Sequence, residues 1–181
     1  MRKIIACVLA ILFFTVYSAV PAVFAEENTG LSEEEILQLV METNEKIDSL
    51  IVKAVAEAEK IESKYLHNKN KTEEKMAQLQ AELTKLSSEF PDAKDDEKMK
   101  KRIENLEEKL LKEKEKFAEF QNEFDRELGD LIQNLVDVTN EMSAKTISKA
   151  AENGVTVECT WVLVELGGKK VWVDPLKVVG P

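Results

Sequence analysis

Few residues in this chain could do chemistry. His67 is its single histidine, so a Ser-His-acid arrangement would have one possible base. That histidine lies in the polar stretch His67-Asn68-Lys69-Asn70-Lys71, with no glycine turn beside it. An exposed polar side chain is the simpler reading. Cys159 has no second histidine with which to share a zinc ion, and it sits in a strand-like run. Asp92, Asp95 and Asp96 follow Pro91 but lack the spacing and glycine of a calcium loop. Helix capping accounts for them without metal. No phosphate-binding glycine loop and no metalloprotease helix motif is present. The expectation is a protein without catalytic residues, without a cofactor or metal, and without a small-molecule substrate.

The elements that would position these side chains are long. Residues 31–90 contain neither glycine nor proline, and residues 92–153 contain only Gly129. Stretches so rich in Glu, Lys, Leu and Ala and so poor in breakers are helical. The first has a sharp start: Ser32 and Glu35 have capping-box spacing, and Leu31 and Ile36 that of a hydrophobic staple. Its apolar residues Ile36, Val40, Ile47, Leu50/Ile51, Ala54 and Ile61 recur every three or four positions. Met76, Leu79, Leu83, Leu86 and Phe90 then run 3-4-3-4, a coiled-coil seam. The polar residues 67–71 leave two readings open, a loop or one weak turn of a continuous helix.

In the second stretch the seam runs from Met99, Ile103, Leu106 and Leu110 through Phe117, Phe120, Phe124, Leu128, Leu131, Leu135, Val138 and Met142, interrupted by Glu113. Asn153-Gly154 is a helix stop. The arms, 32–90 and 92–150, are equal in length and flank the turn at Pro91. That symmetry predicts an antiparallel helical hairpin, each arm about 80–90 Å long at 1.5 Å per residue. The Phe117/Phe120/Phe124 cluster then lies opposite Tyr65, and Ala54 and Ala58 face Leu131 and Leu128. Toward the tip there is one apolar seam. Toward the base, Leu37, Val52, Val55, Ile132, Val136 and Ile147 add apolar surface outside it, and so broad a face asks for a third layer.

From residue 154 the period changes. Val155–Leu166 is β-rich, Gly167-Gly168 follows, then Lys169-Lys170-Val171-Trp172-Val173. Two glycines between such runs predict a hairpin pairing Glu165 with Lys170, Val164 with Val171 and Leu163 with Trp172. One face carries Trp161, Leu163 and Trp172; the other carries Val162, Val164, Leu166, Val171 and Val173. One of them should cover the helical base. The tail at 174–179, a second copy or a partner would cover the other. Two tryptophans suit the core of so small a unit, so packing is their expected use, with one left exposed. Trp161, Leu163 and Trp172 are the candidate partner-binding residues. The fold class is mainly α, a long antiparallel coiled-coil hairpin with a small C-terminal β-hairpin packed at its base.

Residues 1–25 read as a secretory signal: Met1-Arg2-Lys3, an apolar run from Ile4 to Val20, and Val23-Phe24-Ala25 suited to cleavage after Ala25. An uncleaved membrane anchor is the rival reading. Cys7 stands too early in the apolar run for lipidation. The division is therefore 1–25 signal, 26–153 helical hairpin, 154–181 β-hairpin and tail. Net charge is −10, and loss of Arg2 and Lys3 makes the remainder more acidic, which argues against nucleic acid and anionic lipid as partners. A secreted interaction or scaffold protein of the bacterial cell envelope is expected, acting on a protein partner or on itself. Two alternatives are a regulatory partner of a cell-wall enzyme and an extracytoplasmic holdase. For the last, helical arms on a β-built base are similar in outline to the Skp and prefoldin chaperones, without a shared motif.

Overall fold

The computed structural model describes residues 30–89 and 97–180. The signal segment with its cleavage site, the turn at Pro91 and the capping aspartates Asp92, Asp95 and Asp96 lie outside the described residues. Two long helices, α1 (Glu33–Glu89) and α2 (Glu97–Glu152), pack antiparallel along their length. The polar stretch 67–71 is continuous helix. Among the described residues no helix is long and apolar enough to cross a membrane.

Local chemistry sets the ends at the base. Ser32 donates its N–H (2.8 Å) and its hydroxyl (3.0 Å) to Glu35 Oε2, which holds the Glu35 carboxyl below its usual range, while Glu35 N–H donates to Ser32 Oγ (3.3 Å). At the far end of α2, Gly154 has φ +76°. Gly154 N–H bonds to the Ala151 carbonyl and Val155 N–H to the Ala150 carbonyl, a Schellman closure. Asn153 Oδ1 accepts from Leu31 N–H at 2.6 Å, so the stop of one helix is tied to the start of the other.

The tip half is a two-helix seam in which Leu83, Leu86, Leu106 and Leu110 are buried and Met76, Leu79, Met99 and Ile103 pack against them. Glu113 breaks the apolar row, yet its carboxylate is held by Lys116 (2.7 Å) and Lys75 (3.9 Å). Midway, Tyr65 stacks on Phe124 with centroids 4.6 Å apart. The base half has a different seam. Ala54, Ala58, Thr139, Ser143, Thr146 and Ala150 are buried there, with Thr43. The Thr43 and Thr146 hydroxyls meet at 2.9 Å, and Thr43 and Thr139 donate to carbonyls one turn back in their own helices. Hydroxyls satisfied in this way can be buried at little cost.

Small side chains leave room for a third layer. Strands β1 (Thr156–Cys159), β2 (Val162–Leu166), β3 (Lys169–Val173) and β4 (Leu176–Gly180) form two antiparallel pairs, β2 with β3 and β1 with β4. The hairpin register is the expected one: Leu163 faces Trp172, Val164 faces Val171, Glu165 faces Lys170. The tail does not fold back over the sheet. It becomes β4, pairing Cys159 with Leu176, Glu158 with Lys177 and Val157 with Val178. Both ladders share one register, so the four strands are a single long ribbon interrupted where Thr160 stands opposite Pro175 and Trp161 opposite Asp174. Pro175 has no N–H to give, and its carbonyl takes both the N–H and the hydroxyl of Thr160.

At that interruption the ribbon turns over. Val155 and Val157 face inward on one strand, then Val164 and Leu166; Val171 and Val173 face inward on the other, then Leu176. The alternation has slipped by one on both sides at the same level. The strands also exchange helices: β1 and β3 lie against α2, β2 and β4 against α1. Val164, Leu166, Val171 and Val173 fill a core with Ile47, Ala54, Ala58, Leu128 and Leu135. Val155, Val157 and Leu176 fill another with Ile36, Val40 and Ala150. Val55, Ile132, Val136 and Ile147 are partly covered in this way, whereas Leu37 and Val52 remain exposed.

Gly167 and Gly168 make the turn with φ +54° and +78°, the pair of positive φ values of a type I′ turn. A Cβ on Gly167 would stand 2.9 Å from Leu128 Cδ2, whereas one on Gly168 would meet nothing. Leu128 is fully buried and has nowhere to go. Gly168→Ala should therefore cost about 1–2 kcal/mol of backbone strain, and Gly167→Ala about 1–3 kcal/mol more for the crowding. Urea unfolding of the two variants checks this order, and equal costs would contradict the described packing of Gly167 on Leu128.

Candidate protein-interaction face

His67 is exposed on α1. Cys159 is half-buried and packs against the Ile36/Val40 core. Burial, and secondly the nearby Asp174 carboxylate, push its thiol pKa up, which disfavours the nucleophilic thiolate. Among the described residues no group of three or more His, Cys, Asp and Glu side chains is placed to hold a metal ion. The hollow beside the Tyr65–Phe124 stack offers about 10 Å³, room for one water.

The ribbon presents a different kind of surface. Because Val164, Leu166, Val171 and Val173 point at the helices, period-two alternation sends Leu163 and Trp172 outward. Trp161 is 66% exposed, Trp172 55% and Leu163 45%. This corrects the expectation that the tryptophans pack as core with one of them left outside: both are at the surface. The volume beneath the ribbon is already taken by four aliphatic side chains and Leu128, and an indole would not fit between them without displacing the turn. A sequence signal did point this way, since Glu165 and Lys170 share the tryptophans' face, and a charged cross-strand pair belongs on the wet side. Leu163 and Trp172 thus stand directly across from each other on the exposed face, and Trp161 and Val162, just before Leu163 at the interruption, are exposed as well.

That face is held on a fixed backing. Asn44, on α1, donates its amide N–H to the Leu176 carbonyl (2.9 Å) and accepts the Leu176 N–H on its own oxygen (2.8 Å). The side-chain amide thereby stands in for a neighbouring strand. Ser143, on α2, donates to the Asp174 carbonyl at 2.7 Å, and Lys169 pairs with Asp125 at 3.6 Å beside the turn. The interruption at 174–176 is pinned to both helices, next to Trp161. The apolar periodicity of the arms could not reveal these polar anchors; their only trace was Asn44 and Ser143 standing near seam positions.

One polar atom here is unsatisfied. Asp174 is 8% exposed, and its Oδ1 has no hydrogen-bond partner. Burial raises its carboxyl pKa.

No protein-family model matches this chain, and no curated protein sequence or solved structure is significantly similar to it. The functional reading rests on its own residues.

Two outcomes are expected. Asn44→Ala leaves the Leu176 N–H and carbonyl without partners and should lower unfolding free energy by about 2 kcal/mol; a loss below about 0.5 kcal/mol would remove the clamp from the account. For Asp174 the folded pKa lies above the unfolded one, so between the two values the folded chain holds a proton that the unfolded chain has lost. Stability contributed by this group is therefore lost as pH rises through that interval, and the penalty is complete above it. Asp174→Asn should be more stable than the native protein at neutral pH, with a flatter pH dependence just above the ordinary carboxylate range. Thermal melts across pH read both, and a variant no more stable at pH 7 would refute the burial cost.

Proposed function

We propose that the protein is an exported, non-catalytic interaction or scaffold protein of the bacterial cell envelope. The helical hairpin serves as a spacer, and the outer face of the ribbon serves as its docking element. The observation that carries this reading is the exposed cluster of Trp161, Leu163 and Trp172 on a backing anchored at Asn44 and Ser143. Large apolar side chains gathered on one rigid surface are costly to leave in water and are the residue types that dominate protein contacts. The N-terminal basic, apolar and small-residue pattern supports export. Net charge of −10 supports a protein partner over nucleic acid.

Crosslinking of the exported protein in its native envelope, followed by recovery and mass spectrometry, tests this reading. A defined protein, or the chain itself, should be recovered in crosslinks that map to the ribbon. The double substitution Trp161→Ala/Trp172→Ala should keep helical circular dichroism and lose at least nine-tenths of that capture, since each such anchor contributes about 2 kcal/mol. Capture unchanged by the double substitution would place the binding element elsewhere and overturn the proposal.

A further inference from the structure

The charges around the tryptophans are arranged in a way that names an occupant. Glu158 lies directly across the ribbon from Lys177, and Glu165 directly across from Lys170; all four are exposed. Both acids belong to one strand of the ribbon, both lysines to the other, and the two pairs bracket Trp161, Leu163 and Trp172. On a chain of net charge −10 this face is locally neutral, each acid matched by a lysine at the same level of the opposite strand.

A two-fold axis running along the ribbon would lay each strand of one copy over the opposite strand of another. Every acid then meets a lysine: Glu158 faces Lys177 of the second copy, and Glu165 faces its Lys170. At the centre Leu163 meets Trp172 of the second copy. Trp161 meets the level of the second copy's Asp174, whose own side chain is buried and leaves little surface there. Stacked sheets approach to about 10 Å, which lets such side chains interdigitate. The pattern is self-complementary, as an isologous contact requires. With net charge −10 on each chain, two copies brought together without such matching would repel.

We infer that the outer face of the ribbon is a homodimer interface, two copies packing ribbon on ribbon about a two-fold axis parallel to the strands. This rests on the reading of that face as the docking element. Ribbon stacking also covers both faces of the sheet with apolar contacts, which a two-stranded ribbon on one layer of helices lacks.

Sedimentation equilibrium of the exported, purified protein tests the inference, with circular dichroism as the check on folding. The native protein should be a dimer at micromolar concentration, and Trp161→Ala/Trp172→Ala should weaken association at least a hundredfold. Lys170→Glu/Lys177→Glu makes the face wholly acidic, and Glu158→Lys/Glu165→Lys makes it wholly basic; each alone should be monomeric. Mixed, the two variants should form a heterodimer, although the cross-strand pairs within each chain stay broken. The fourfold charge reversal, which leaves net charge unchanged, should restore the homodimer. A native monomer, or a dimer indifferent to the tryptophan and charge substitutions, would overturn the homodimer. In that event, capture of a different protein that still depends on Trp161 and Trp172 would leave the docking reading standing, and its loss of that dependence would remove both.

Discussion

Burial of the ribbon's aliphatic face against the base of the hairpin is the contact on which the rest of the structure depends. Val164, Leu166, Val171 and Val173 meet Ile47, Ala54, Ala58, Leu128 and Leu135 in one core. Each Val, Leu or Ile among them contributes about 1.5–3 kcal/mol when taken from water. Neither partner is adequate alone. A two-stranded ribbon is marginal in water, and helices with apolar residues outside their mutual seam need cover. The docking of one on the other satisfies both, and it decides which way the remaining side chains must point.

Small and hydroxylated residues make that docking possible. In the tip half, leucines meet across the seam and two helices are sufficient. In the base half Ala, Thr and Ser take many of the buried positions beside Ile36, Val40, Ile47, Leu128 and Leu135, and the turn at Gly167 reaches within close contact of Leu128. The polar atoms that come with this choice are largely used: Thr43 with Thr146, Ser143 with the Asp174 carbonyl, Asn44 with both backbone groups of Leu176. The Asp174 carboxylate oxygen is the exception, and it sits where the ribbon turns over. A buried carboxyl with one bare oxygen costs stability, and it marks the level at which regular strand geometry gives way.

The exposed tryptophans follow from the same packing. With Val164 and Leu166 of β2 turned inward, Leu163 and Trp172 had to face outward, and at the slip in alternation at 160–161 and 174–175 Trp161 and Val162 are exposed too. The result is an exposed apolar patch bracketed by Glu–Lys pairs on an acidic chain.

How much of this was legible without coordinates divides by range. The two helices, their capping box at Ser32 and Glu35, their stop at Gly154, the hairpin pairing of Glu165 with Lys170 and the surplus apolar surface at the base are set by neighbours within a few residues. Period, breakers and turn glycines report such features directly. The pairing of β4 with β1, the rollover at Pro175, the anchors at Asn44 and Ser143, and the outward turn of Trp161 and Trp172 depend on residues far apart in the chain. A run that is apolar on both faces permits either face to be buried. Only the volume left between two particular helices, filled by four aliphatic side chains and closed by Leu128 against Gly167, could decide between them.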